Sequence, residues 1–147
     1  MNYTHRLTAL RRALPPLRCD ALIISDLTNV RYLCGCTGTA GMVAVTENDA
    51  FFITDFRYQS QAAEQVPTEY SIAIAEGSPW KEAARLLSPK APCVGFEAEH
   101  LSVAQWQEAS EMMNPATMVS TKRVVENLRL FKDADELEII RRAVRVA

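Results

Sequence analysis

Glu97-Ala98-Glu99-His100 is the stretch with the most metal-ligand character, two carboxylates and an imidazole within four residues. Such groups hold a cation when His and carboxylates converge from several elements. The only other histidine, His5, lies on the polar side of an expected first helix. The segment therefore reads as a solvated loop, at most an adventitious metal binder. Four thiols come next: Cys19, Cys34, Cys36 and Cys93. The Cys34-Gly35-Cys36 spacing is one residue too tight for a zinc knuckle, and no second pair accompanies it. Cys19 and Cys93 flank apparent strands as small hydrophobes, so reduced, unliganded thiols are expected. The chain has no HExxH and no P-loop. The glycines of "GCTGTAG" follow a helical turn and precede a strand, the reverse of the order that cradles phosphate at a helix start. Nothing marks a nucleophile elbow. On chemistry alone the chain reads as a non-catalytic module.

Two stretches concentrate specialised residues. In "NVRYLCGCTGTAG", Asn29 to Gly41, Gly35, Gly38 and Gly41 permit positive φ and close backbone approach. A loop of this kind on a rigid scaffold is a usual place for contacts to a ligand or partner. In "TDFRYQSQA", Thr54 to Ala62, Asp55 is placed to cap a helix. Tyr58 and Ala62 share its inward face, and Arg57 points elsewhere, free to pair with an acid or cross an interface.

The elements that must position these stretches alternate. A helix is expected from Thr4 to Leu14, with Leu7, Leu10 and Leu14 on one face and Pro15-Pro16 ending it. Strands follow at Asp20–Ser25, at Met42–Thr46 and Phe51–Thr54 as a hairpin, and at Tyr70–Ala75, Cys93–Glu97 and Thr117–Thr121. "LTNVRYL" reads as a short helix, and another runs from Asp55 to about Gln65. Ser78 caps a helix with Pro79 at its first position and Trp80, Ala83, Ala84 and Leu87 inward. Ser102 and Gln105 form a capping box for a helix carrying Val103, Trp106 and Met113. "KRVVENLRLF" is helical. A last helix has Asp133 and Glu136 as its capping box and Leu137, Ile140, Val144 and Ala147 along one face. No Gly, Asn or Pro closes it, which reads as a piece of a longer protein. The whole is a mixed α/β domain with one antiparallel hairpin.

Composition bounds the partners. Over 147 residues, 48% are hydrophobic and 23% charged, the balance of a globular domain. A net charge of −2 argues against nucleic acid as a main partner. No apolar run approaches the roughly 20 residues of a membrane span. The N-terminus lacks a signal-peptide apolar block, so a cytoplasmic location is the default.

Asn29, Tyr32-Leu33, Gly35, Gly38, Gly41, Thr54-Asp55, Arg57-Tyr58 and Gln61-Ala62 together resemble the N-terminal domain of the creatinase/prolidase/aminopeptidase P family. Leu128, Arg129, Lys132, Asp133, Glu136, Leu137, Ile140 and Arg141 are similar to the family's linker. The resemblance implies a mixed, mostly six-stranded sheet flanked by helices, ribonuclease H-like, over residues 1–131. Residues 132–147 would then be a linker helix into a C-terminal "pita-bread" catalytic domain. It implies no metal and no catalytic residue in this chain. Two divalent cations, often manganese, would sit in that other domain, held by two Asp, one His and two Glu, and activate water against an Xaa–Pro bond. Tyr32, Gly35, Cys36, Thr37, Gly38 and Gly41 would form a loop near the substrate or across a homodimer interface. Asp55, Arg57 and Tyr58 would serve an interface or structural role. The partners implied are a second copy and a short proline-containing peptide. One departure stands out: Cys34 and Cys36 lie where family members often carry an aromatic residue, which unsettles any carry-over of substrate preference. An inactive peptidase-like binding module and a creatinase-like amidine hydrolase share the same domain and stay open as alternatives.

Overall fold

The computed structural model describes residues 1–88 and 90–146. Six strands form one sheet in the order β4-β3-β2-β1-β5-β6. They are β1 (Ala21–Ile24), β2 (Met42–Thr46), β3 (Ala50–Thr54), β4 (Ser71–Ile74), β5 (Cys93–Glu97) and β6 (Thr117–Thr121). β2 pairs antiparallel with β1 and β3, and every other pairing is parallel. Five strands therefore share one direction, and the segments leaving them meet at one edge of the sheet. The loop that enters the reversed strand β2 meets them there too.

Both faces of the sheet are covered, which explains why the strands read as near-continuous apolar runs. Alternation sends Leu22, Ile24, Val43, Val45 and Phe52 to one side and Ala21, Ile23, Met42, Ala44 and Ile53 to the other. On the first side lie α1 (Tyr3–Arg11), α3 (Leu27–Cys34), α4 (Gln59–Gln65) and α7 (Val124–Leu130), through Leu7, Leu10, Val30, Leu33, Ala62 and Val125. On the second lie α5 (Pro79–Leu87) and α6 (Val103–Met113), through Trp80, Ala83, Leu87, Ala109 and Met113. Gly95 stands at the middle of β5, between β1 and the edge strand β6. A Cβ there would stand 2.5 Å from Leu22 Cδ2 and 2.9 Å from Thr121 Cγ2, so only glycine lets these strands pack.

Several expectations need correction. Pro15-Pro16 do not end the first helix. α1 stops at Arg11, and the prolines lie in the first turn of a short helix of their own, α2 (Leu14–Leu17). A missing proline N–H costs nothing there, because it would lack an intrahelical acceptor anyway. The helix expected from Asp55 splits into a 3-10 turn at Phe56–Tyr58 followed by α4. Ser78 stands at the N-cap of α5 without capping it, its hydroxyl turned toward Glu108 instead. Val103 and Trp106 are exposed, because α6 reaches the core only through Ala109 and Met113. The capping box at Ser102 and Gln105 is formed as expected.

The last helix, α8 (Ala134–Val146), starts with the expected reciprocal caps. Glu136 N–H donates to Asp133 Oδ1 at 2.8 Å, and Asp133 N–H donates to Glu136 Oε2 at 3.0 Å. Leu137, Ile140 and Val144 are exposed, while Ala147 lies outside the described residues. The backbone bond from Glu136, aided by Arg6, holds the Asp133 carboxyl below its ordinary 3.8. A carboxyl depressed in the fold stabilises above its unfolded pKa and loses that contribution as pH falls through the folded value. Acid titration below pH 3.8 is therefore expected to free the α8 amides for hydrogen exchange before those of the central strands. Simultaneous loss of both would refute it.

Candidate functional site

The two stretches singled out in the sequence come together at the carboxyl edge of the sheet. Asp26 caps α3 by accepting from Thr28 N–H at 2.8 Å, and Gly35 ends the helix with φ of 74°. That left-handed turn starts the loop to Gly41. The loop is then fastened to the second stretch and to Gln65 just beyond it. Gln65 Oε1 accepts from Thr37 N–H at 2.9 Å and from Thr37 Oγ1 at 3.2 Å, and Gln61 Nε2 donates to Thr37 Oγ1 at 2.9 Å. The Thr39 and Tyr58 hydroxyls share a hydrogen bond. Thr54 Oγ1 donates to Ala40 O at 2.7 Å. The other two loop glycines are needed for space: a Cβ on Gly38 would meet the Tyr58 ring at 3.0 Å, and one on Gly41 the Phe52 ring at 2.8 Å. The spacing of both stretches thus follows from one zipped contact.

The expected site residues separate in this frame. Thr37 is exposed, and Gly38 and Gly41 are half-buried. Tyr32 is also half-buried, on the last turn of α3. Cys36 turns into the core, so its thiol does not present to the loop's outer surface. Cys34 is fully buried with its thiol on Val30 O, and burial pushes it up to about 12. Cys19 is pushed up to about 11 by burial and by Cys93 beside it. All four thiols are free, and Cys93 is only half-buried. Cys19 and Cys34, held so far above neutrality, are poor nucleophiles.

Arg57 pairs with Asp55 rather than with a distant acid. Its Nε and Nη2 reach the two Asp55 oxygens at 2.9 and 2.8 Å, and this fork holds the Asp55 carboxyl below its usual range. Asp55 Oδ1 also caps the 3-10 turn through Arg57 N–H. The pair is solvent-exposed, so it contributes little to stability, and its value lies in orienting Tyr58 and the turn.

Beside the zipped loop lies a cavity of about 430 Å³, lined by Asp26, Gly41, Thr54, Trp80, His100 and Gln105 among others. Its place outside the carboxyl ends of the strands is where open α/β sheets usually receive ligands. A larger cavity, about 680 Å³, lies by the β2–β3 turn. Of its charges, Lys90 pairs with Asp49 and Arg11 donates to Thr46 O, and no motif residue lines it.

Sequence reading missed a buried polar network beneath this edge. Glu97 ends β5 as expected, but its carboxylate, read with His100 as solvated surface, points inward. Its Oε2 accepts from Ser25 and Asp26 N–H, each at 2.8 Å, and its Oε1 from Asn29 Nδ2 at 2.7 Å. Asn29, fully buried, also donates to Glu126 Oε1 at 2.7 Å and accepts from Arg129 Nη1 at 2.9 Å. Burial raises the Glu97 carboxyl, against the lowering pull of these donors. A carboxylate closing an otherwise apolar strand was the available signal. His100 and Glu99 stay exposed, with His100 Nδ1 4.0 Å from Asp26 Oδ2. Among the described residues no three His, Cys, Asp or Glu side chains are grouped to hold a metal. No described helix is long and apolar enough to cross a membrane.

Comparison with known proteins places this geometry. A curated relative, the uncharacterized peptidase YqhT of Bacillus subtilis, is 34% identical over 143 residues, 97% of this chain. The chain spans only 40% of that relative's length. An Xaa-Pro dipeptidase from Bacillus anthracis superposes with a TM-score of 0.89 at 32% identity, over 94% of this chain and 39% of that one. The N-terminal domain of the cytoplasmic peptidase PepQ from Mycobacterium tuberculosis superposes with a TM-score of 0.78 at 32% identity, over 85% of this chain and 98% of that domain. The sequence profile described as the Creatinase/Prolidase N-terminal domain matches residues 6–131. With its six-stranded mixed sheet and zipped glycine loop, the chain belongs to the creatinase/prolidase N-terminal domain family.

Proposed function

We propose that this chain is the non-catalytic N-terminal domain of a metal-dependent Xaa-Pro dipeptidase or aminopeptidase, a cytoplasmic homodimer. The observation that carries the reading is coverage: 94% of this chain accounts for only 39% of the Bacillus anthracis dipeptidase, yet 85% of it accounts for 98% of an isolated PepQ N-terminal domain. The chemistry then belongs to the remaining polypeptide. Two divalent cations there, manganese foremost, would polarise the scissile carbonyl and supply hydroxide at neutral pH. This chain's described residues do not fit such a pair, having no cluster of ligands to offer.

What the chain contributes is position. The loop from Gly35 to Gly41 is held on Tyr58, Gln61 and Gln65, so it can border the substrate end of an active site as a stiff wall. Thr37 and Thr39 are its exposed hydroxyls. Residues 132–147 act as the linker, with the apolar stripe of α8 facing the catalytic domain. The test is direct. This chain, supplied with Mn²⁺ and an Xaa–Pro dipeptide, is expected to give no turnover, and the chain extended by its downstream coding sequence is expected to cleave the dipeptide. Hydrolysis by this chain alone would overturn the reading. So would an extension lacking the two Asp, one His and two Glu that such a metal pair needs.

A further inference from the structure

Arg6 is the one arginine of α1 that the fold buries, its side chain 4% exposed. A guanidinium taken out of water must find compensating partners. Besides Met1 Sδ at 3.3 Å, its partners come from two distant places. Nη2 reaches Asp133 Oδ2 at 2.7 Å and Glu136 Oε2 at 3.3 Å, the two carboxylates that open α8. Nη1 donates to Tyr32 O at 2.8 Å, and the guanidinium stacks 4.1 Å from the centre of the Tyr32 ring. A planar fork can serve both sites at once, which a lysine ammonium cannot.

The second site leads to the glycine loop. Tyr32 lies on the last turn of α3, three residues before Gly35. Tyr3, one turn before Arg6 on α1, lays its hydroxyl against the bare α-carbon of Gly35, where an added Cβ would come within 2.5 Å of it. The Tyr32 hydroxyl donates to Leu128 O at 3.4 Å and ties the same turn to α7. Asp133 and Glu136 already cap one another, so α8 needs no arginine to begin. What Arg6 adds is the place where it begins.

We infer that Arg6 is a positioning residue that couples the docking of α8 to the conformation of the Gly35–Gly41 loop. The consequence for a substrate rests on the proposed function; the coupling itself belongs to this chain and is read without any substrate, so either can fail without the other. Arg6→Met keeps an unbranched apolar stem in the same place and removes charge, fork and the guanidinium stacked on Tyr32. In this chain, followed by amide hydrogen exchange and NMR, Arg6→Met is expected to speed exchange across Ala134–Arg145 about tenfold or more, with β1, β2 and β5 held within about twofold. The Gly35 and Thr37 amide resonances are expected to shift.

The double change Asp133→Asn with Glu136→Gln keeps both capping groups. It is expected to move the same loop resonances, and to add nothing in the Arg6→Met background, the signature of a shared pathway. Unchanged α8 exchange in Arg6→Met would overturn the inference. So would a freed α8 with unmoved loop resonances, or a uniform loss of protection that includes the strands. If Arg6→Met fails to fold, the carboxylate pair alone decides: loop resonances that move support the coupling, and loop resonances that stay put refute it.

Discussion

Replacing Asn29 by leucine is expected to cost about 4 kcal/mol of unfolding free energy, the scale of breaking a buried polar network by removing one partner. Leucine shares asparagine's heavy-atom branching but is bulkier, so the loss of hydrogen bonds is joined by a smaller overpacking cost. Asn29 stands between Glu97, Glu126 and Arg129, and among the described residues it is the only side-chain donor to Glu97 Oε1 and the only acceptor from Arg129 Nη1. Without it a buried carboxylate loses a donor and a guanidinium loses its acceptor. Two backbone N–H groups still hold Glu97 in place, so the charge cannot swing out to water without unseating Ser25 and Asp26. At a slope of about 2 kcal/mol per molar, the urea midpoint should fall by about 2 M. A loss below about 1 kcal/mol would mean that the network relaxes around the gap, and its place as an anchor of the site edge would go with it.

Phe52 carries the second large effect. Phe52→Ala is expected to destabilise by about 4 kcal/mol, as large aromatic truncations in close-packed interiors do. The ring is fully buried in the middle of β3, between Val43 on β2 and Ile72 on β4. It is also the surface on which Gly41 rests, since a Cβ at Gly41 would fall 2.8 Å from two ring atoms. Gly41→Ala alone should therefore cost about 1–3 kcal/mol through overpacking. In the Phe52→Ala background the added methyl enters the vacated space. The double variant should be more stable than the sum of the single losses by at least about 1 kcal/mol. Additivity within about 0.5 kcal/mol would show that the loop's last glycine is not held by this ring.

These effects mark a boundary between two kinds of information. The strands at Ala21–Ile24, Met42–Thr46 and Cys93–Glu97 were legible because apolar periodicity and turn residues act within a few positions. The capping boxes at Ser102 and Asp133 were legible for the same reason, each joining residues three apart. The failures were local as well: Pro15 and Pro16 read as a stop when they could equally open a helix, and Val103 and Trp106 read as core when α6 overhangs the sheet. Hydrophobic spacing says which face a helix has, not how far along its length a neighbour extends.

By itself the amino-acid order determined the α/β class, the hairpin, the element boundaries to within a few residues, and the two stretches that meet at the site. Only the tertiary structure decided why those stretches have their spacing, with Tyr58 against Gly38 and Gln61 against Thr37. It alone decided that Glu97 answers Asn29 across 68 residues, and Arg6 answers Asp133 across 127. The physical reason is that a buried charge is stable only beside its partner, and which groups become partners is set by strand order, which no short window of sequence contains.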